Sequence, residues 1–268
     1  MRTAGPRVPS VEGVTISTVR TRPRVWATVR LTRPWFWPLG WGGAYLGSVA
    51  ATHSWAPGDP VRAAAAALVL GPLVWGAVLA VNDRHDLPGD RLNPRKATAP
   101  LVTGELTPAA LDRVFRRCAA GAVGCALLAG PVFAAGTALV LLLGVLYSVP
   151  PVRLKGRPGW DVAVNAVVVG ALGPLAGWVL HRPASEYPLV LAVLGVLLAA
   201  ALYVPTTVLD AAADAAAGDT TAAVAWSPRA CHRLGVALWA AATVVWLAVV
   251  CVAFAVPATD FLASVAGT

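Results

Sequence analysis

The sequence predicts an all-α integral membrane protein with about seven membrane-spanning helices, and three observations carry that prediction. The chain is 57% hydrophobic and only 13% charged, with a mean hydropathy of +0.68, whereas soluble domains are about a quarter charged. Its apolar residues fall in long charge-free blocks near 34–58, 63–81, 118–152, 162–180, 187–209 and 234–259, and a helix needs about 20 such residues to cross the hydrocarbon core. The block 118–152 is too long for one span and is broken at Gly130-Pro131, which makes seven. Finally, 19 of the 21 Lys and Arg residues fall in segments on one face of that bundle, with only Arg62 and Arg182 on the other. The positive-inside rule makes the rich face cytoplasmic.

Taken in chain order, residues 1–29 are expected to form a mobile basic cytoplasmic arm containing Arg2, Arg7, Arg20, Arg22 and Arg24. No apolar core follows at signal-peptide distance, and such an arm suits contact with anionic lipid. Residues 30–268 make up the transmembrane domain. Its first span holds Trp35, Trp37 and Trp41, and its second holds Trp75 and ends at N-D-R-H-D-L-P-G-D, residues 82–90. The third and fourth spans flank Gly130-Pro131, and the loop after them reads V-P-P-V-R-L-K-G-R. The sixth span ends in L-D-A-A-A-D-A-A-A-G-D-T-T, and the seventh occupies 234–259. This arrangement puts the N-terminus inside and the C-terminus outside. The net charge of +8 is therefore a topology signal and not a nucleic-acid footprint. Scarcity of lysine beside arginine suits a bacterial source, hence a bacterial cytoplasmic membrane. The four cysteines show no CxxC spacing or His pairing, so they read as apolar core residues rather than disulfide or zinc ligands.

The acids are more informative than the bases. Asp83, Asp86 and Asp90 follow the second span at i, i+3 and i+7, one stripe if the helix continues through Pro88-Gly89. Asp210 and Asp214 follow the sixth at i, i+4, with only alanine between them. Both groups lie on the cytoplasmic face. Carboxylates that share a stripe repel unless a cation sits among them. Oxygen ligands without a His or Cys cluster suit Mg²⁺, which a few carboxylates hold together with phosphate oxygens and water. Each group alone reads equally as a solvated helix end. The pairing of two such groups beside basic residues points instead to a diphosphate bound at the membrane surface with its apolar tail in the bundle.

N-D-R-H-D-L-P-G-D resembles the NDxxDxxxD motif of the UbiA superfamily of intramembrane prenyltransferases. D-A-A-A-D at 210–214, with G-D-T-T after it, is similar to that superfamily's second DxxxD motif and its downstream G-x-x-T. L-Y-S-V-P-P-V-R-L-K-G-R at 146–157 resembles its tyrosine-containing loop, and R-L-T-R-P-W at 30–35 its first-helix entrance. The resemblance runs in order over roughly residues 30–235. It departs from the pattern in the plain alanines between Asp210 and Asp214 and in the spacing of N-P-R-K-A-T-A-P. It also departs in length: members usually have nine spans around a central cavity, and only one good span follows Asp219. Fewer spans would leave the cavity wall more open or completed by a second subunit of a homo-oligomer.

The resemblance implies two Mg²⁺ ions bridging the diphosphate of an isoprenyl donor. One is held by Asn82, Asp83, Asp86 and Asp90, the other by Asp210 and Asp214. Arg30, Arg91, Arg95, Lys96, Arg153, Lys155 and Arg157 are the candidate diphosphate clamps, Arg153 and Lys155 foremost. Tyr147 is expected near the reacting carbon, with Asp83, Asp86, Asp210 and Asp214 as the catalytic acids. His85, inside the first motif, is either a phosphate donor or a solvated helix-end residue. An allylic cation needs a cation–π wall, so Trp35, Trp37, Trp41 and Trp75 are expected either to line the cavity or to form an interfacial belt. Transfer to a hydrophobic acceptor (aromatic, lipid or isoprenoid) and acceptor-free cyclisation by a terpene cyclase share these residues. A catalytically inert diphosphate binder is the non-enzymatic alternative.

Overall fold

A computed structural model describes residues 24–56 and 58–253, and all regular structure among them is helical. The elements are α1 (Arg24–Leu31), α2 (Trp37–Thr52), α3 (Pro60–Leu68), α4 (Val74–Asp90), α5 (Pro108–Ala129), α6 (Pro131–Ser148), α7 (Trp160–Ala166), α8 (Gly173–Trp178), α9 (Leu189–Ala217), α10 (Ala222–Trp226) and α11 (Pro228–Ala253). Wider π turns at Val69–Leu73 and Val167–Leu172 join α3 to α4 and α7 to α8. Seven helical rods result: α2, α3–α4, α5, α6, α7–α8, α9 and α11. Five of them, Pro60–Asp90, Pro131–Ser148, Trp160–Trp178, Leu189–Ala217 and Pro228–Cys251, are long and apolar enough to cross a membrane.

The other two differ from expectation for local reasons. α2 has 16 residues and ends where His53 turns left-handed. α5 begins at Pro108, ten residues before the apolar block at Cys118. Thr107 accepts a hydrogen bond from the Ala110 amide and Pro108 takes the first helical position, a strong N-terminal signal that starts the helix in polar sequence. Its first turns therefore carry Asp112, Arg113, Arg116 and Arg117. The break between α5 and α6 falls at Gly130-Pro131, as the sequence indicates, with Gly130 at φ 131°.

Close approach of the rods depends on small residues, the usual substitute for hydrophobic drive inside a bilayer. Where α2 crosses α8, a Cβ on Gly47 would overlap the Pro174 carbonyl and one on Gly177 would overlap the Ala44 carbonyl. α9 meets the second π turn the same way, backbone against backbone at Gly195 and Gly170. Between α3–α4 and α5 the buried contact is largely alanine: Ala65, Ala66, Ala77, Ala122 and Ala126. α11 packs on α9 and α10; beyond Arg229, His232 and Arg233 in its first turns it is apolar and largely exposed, which suits a lipid-facing rod.

The first π turn shows how a break in mid-membrane is tolerated. Pro72 lacks an amide and Gly71 leaves helical geometry (φ −97°, ψ −107°), so carbonyls in the preceding turn lose partners. The Trp41 indole N–H donates to the Ala67 carbonyl at 2.8 Å and repairs one of them. Trp41 is thus engaged with the backbone.

Residues 24–29, the last six of the expected arm, are helical and docked. They belong to α1, whose Ala27 and Leu31 are buried with Ala80, Leu101, Leu106 and Leu111. Apolar residues at i, i+4 give this short helix a face to bury, which the arginines on either side mask in a composition-based reading. The rest of the arm, 1–23, lies outside the described residues, as do 254–259 of the last expected span.

Candidate active site

Helix α4 continues through Pro88 and Gly89 and ends at Asp90, so Asp83, Asp86 and Asp90 do lie along one stripe. Gly89 faces the end of α9: a Cβ there would stand 3.0 Å from that of Ala217. That proximity brings the two acidic helix ends to one end of the bundle. Asp83 and Asp86 are buried, 4% and 7% exposed, and a buried carboxylate needs hydrogen-bond donors or a cation. Arg33 supplies it for Asp83, with Nη2 2.8 Å from Oδ1. Arg33 stands left-handed (φ 46°) just before Pro34, at the turn between α1 and α2.

Asp86 is served from the loop between α6 and α7. Lys155 Nζ pairs with its Oδ2, Arg153 Nη2 lies 3.4 Å from its Oδ1, and the Asn82 amide donates to Oδ2 at 2.9 Å. The same two cations reach the segment after α9. Arg153 donates from Nε and Nη2 to Asp219 at 3.0–3.2 Å, and Lys155 Nζ is 3.9 Å from Asp219. Partial burial pulls the Arg153 pKa down, but the hydrogen bonds to Asp219 and the charges of Asp86 and Asp219 outweigh it and hold the pKa above its ordinary value. Thr220 adds a 2.7 Å bond to the Gly156 carbonyl. Ser148, fully buried at the end of α6, points its hydroxyl at Asn82 Oδ1, 3.4 Å away.

The second acidic pair has its own partners. Arg95 Nη1 lies 2.9 Å from Asp210 Oδ1, and the Asn93 amide donates to the same oxygen at 3.2 Å. Thr221 donates to Asp214 at 3.1 Å, while Lys96 pairs with Asp90 at 3.4 Å. Asp161, at the start of α7 and 1% exposed, underpins this corner by accepting the amides of Gly159 and Ala222, each at 2.9 Å. It thereby pins the starts of α7 and α10 together. Asp161→Leu is expected to leave those amides without partners, at about 1–3 kcal/mol for a buried one. Thermal unfolding in detergent should show a clear drop in midpoint, and a smaller one for Asp161→Asn.

Other expected residues are placed elsewhere. Arg30 bonds both carboxylate oxygens of Glu105 at 3.1 Å and the Thr98 carbonyl, so it braces the loop after α4 and does not reach the acidic stripe. Arg91 and Arg157 are exposed and make no ion pair among the described residues. His85 turns its Nδ1 back to the Val81 carbonyl, 2.8 Å away. Tyr147 shares a 2.8 Å hydrogen bond with Tyr203 of α9, on the membrane side of the carboxylates. Below this pair lies an apolar cavity of about 120 Å³ between α2, α3–α4, α6 and α7–α8. Of the four tryptophans considered, only Trp75 lines it, with Phe36 stacked beside Trp75 at 5.3 Å. Trp35 is exposed, and Trp37 bonds the Thr32 carbonyl.

Arg33, Asn93, Asp161, Tyr203 and the pairing role of Asp219 are absent from the sequence-based site. Asp219 does carry a signal in the sequence, being a third acid in the same stretch as Asp210 and Asp214. For Mg²⁺ the donor set is chemically suited: carboxylate and amide oxygens, with no imidazole or thiolate among them. Among the described residues no three His, Cys, Asp or Glu side chains converge as a ready-made metal cluster.

Comparison with known proteins agrees with this architecture. No curated protein matches the chain significantly. Among solved structures it is similar to a UbiA homologue from Archaeoglobus fulgidus bound to GPP and Mg²⁺, at 25% identity and a TM-score of 0.74, covering 83% of this chain and 77% of that one. It shares its fold with an apo UbiA homologue from Aeropyrum pernix K1, at 21% identity, a TM-score of 0.65 and coverage of 85% and 80%. It also shares it with a digeranylgeranylglyceryl phosphate synthase at 14% identity, a TM-score of 0.64 and coverage of 83% and 76%. The UbiA prenyltransferase family profile matches residues 25–268, so this chain, with its paired acidic helix ends over an apolar cavity, belongs to the UbiA prenyltransferase family.

Proposed function

We propose that the protein is an Mg²⁺-dependent intramembrane prenyltransferase that ionises an isoprenyl diphosphate and transfers the prenyl group to a hydrophobic acceptor. The observation that carries this reading is the joining of two carboxylate-bearing helix ends by Arg95, Lys96, Arg153 and Lys155, above an apolar cavity. The similar Archaeoglobus fulgidus protein, bound to GPP and Mg²⁺, supports it. In this reading Asn82, Asp83, Asp86 and Asp90 hold one ion, and Asp210 and Asp214 a second. Bound there, Mg²⁺ supplies positive charge to the leaving diphosphate oxygens.

The chain's own residues do the rest. Arg153 and Lys155 move from carboxylate to phosphate oxygens, and Arg33, Arg95 and Lys96 set the field around them. The allylic C–O bond breaks, its electron pair leaves with the diphosphate, and the prenyl cation stays on the membrane side. Tyr147 and Tyr203 face that space from α6 and α9, and Trp75 offers a π face deeper in. An acceptor nucleophile forms the new bond and gives up its proton. The basic end of the bundle faces the cytoplasm in this reading.

The test is purified protein in lipid nanodiscs with Mg²⁺ and geranylgeranyl diphosphate, with and without a panel of aromatic and glycerolipid acceptors. Diphosphate release that requires an acceptor and stops with EDTA is expected. A cyclic hydrocarbon or alcohol from donor alone would assign a cyclase, and binding of donor with no release under any condition would assign an inert binder; either overturns the transferase.

A further inference from the structure

Cavity, carboxylates and helix rise together bear on the donor itself. On α6 the cavity is lined by a stripe at i, i+4 and i+8: Val132, Gly136 and Val140. The same helix ends at Ser148, whose hydroxyl reaches Asn82 at the membrane-side end of the carboxylate stripe. At about 1.5 Å per residue, Val140 lies roughly 12 Å below that level, Gly136 roughly 18 Å and Val132 roughly 24 Å. A main chain of four carbons per isoprene unit, with C–C bonds near 1.5 Å, extends roughly 5 Å per unit. A three-unit chain whose first carbon sits at that end of the stripe therefore stops just short of Gly136, and the fourth unit has to pass it.

Of the three glycines that line the cavity, Gly136 has the most room, and a Cβ on Gly173 would meet only the Val168 carbonyl at 3.8 Å. A Cβ built on Gly136 meets no atom within 4 Å, whereas one on Gly40 would press on the Leu70 carbonyl. Any side chain at position 136 would project from the cavity-lining stripe into space that no protein atom fills. Beyond that point Phe133 and Val179 continue the apolar lining. We infer that Gly136 is the specificity-determining residue for donor length: its missing side chain admits the fourth isoprene unit, and the protein's donor is a four-unit isoprenyl diphosphate. This inference rests on the prenyltransferase reading of the site above.

The experiment measures diphosphate release at fixed acceptor for donors of two, three and four isoprene units, in nanodiscs with Mg²⁺, for the wild type and for Gly136→Ala, Gly136→Leu and Gly136→Phe. The wild type should prefer the four-unit donor. Along the series its kcat/KM for four units should fall relative to two units by on the order of tenfold or more at Phe, a typical discrimination for a filled apolar pocket, while the two-unit donor keeps its rate. Gly124→Phe, on the exposed side of α5 with open space around it, should leave the preference unchanged. If Phe destabilises the protein, the graded Ala and Leu variants carry the test. Equal losses for all donors along the series, an unchanged preference, or a wild type that prefers two units would overturn the assignment. A wild type that releases diphosphate from none of the three would instead overturn the prenyltransferase reading.

Discussion

Asp86→Asn is expected to lower kcat by on the order of 10³-fold, the scale seen when one preorganised electrostatic group is removed from a reacting centre. Asp86 is the carboxylate on which the most partners converge: Asn82 from its own helix, and Arg153 and Lys155 from the α6–α7 loop. The asparagine is nearly isosteric, so packing is retained while a formal charge and its affinity for a divalent cation are lost. Diphosphate release in nanodiscs measures the rate, and thermal unfolding checks that the fold persists. In a double-mutant cycle with Lys155→Met the two losses should be less than additive, because the groups act on one another. An Asp86→Asn protein with wild-type turnover would remove Asp86 from the machinery.

The second large effect concerns folding. Gly47→Leu is expected to cost about 3 kcal/mol or more, the upper range for overpacking, because its Cβ would overlap the backbone carbonyl of Pro174, which has no rotamer to yield. With total stabilities of roughly 5–15 kcal/mol, little folded protein should survive extraction. Gly42→Ala, on the same helix with nothing within 4 Å of the added carbon, is the control. Yield of monodisperse protein and its unfolding midpoint in detergent make the measurement.

How much of this was legible in the sequence follows from what is one-dimensional. Spacing along a single helix can be read directly, so the stripe of Asp83, Asp86 and Asp90 and the i, i+4 pair at Asp210 follow from periodicity, and the break at Gly130-Pro131 from the length of its apolar block and its breaker residues. Arg30 and Arg33 are harder to separate. They lie three residues apart in one basic stretch, and only the left-handed turn at Arg33 sends one to Asp83 and leaves the other with Glu105. The pairing of Asp219 with Arg153 spans 66 residues and depends on how two loops close, which no local pattern encodes. For Trp41 the sequence left cavity wall and interfacial belt both open, because tryptophan count carries no direction. Its indole is instead spent on the carbonyl left over by the Pro72 break.

The mutual pairing of acids and bases at this end of the bundle has a consequence for ligand binding. Arg153 and Lys155 are already satisfied by Asp86 and Asp219, so an arriving polyanion gains them only by taking them from the carboxylates. A divalent cation, conversely, gains those carboxylates only by displacing the same two side chains. Each ligand alone exchanges one ion pair for another at little profit; together they each release what the other needs. Anion and metal are then expected to be thermodynamically linked, each raising the other's affinity by the same factor, so that either one alone binds more weakly.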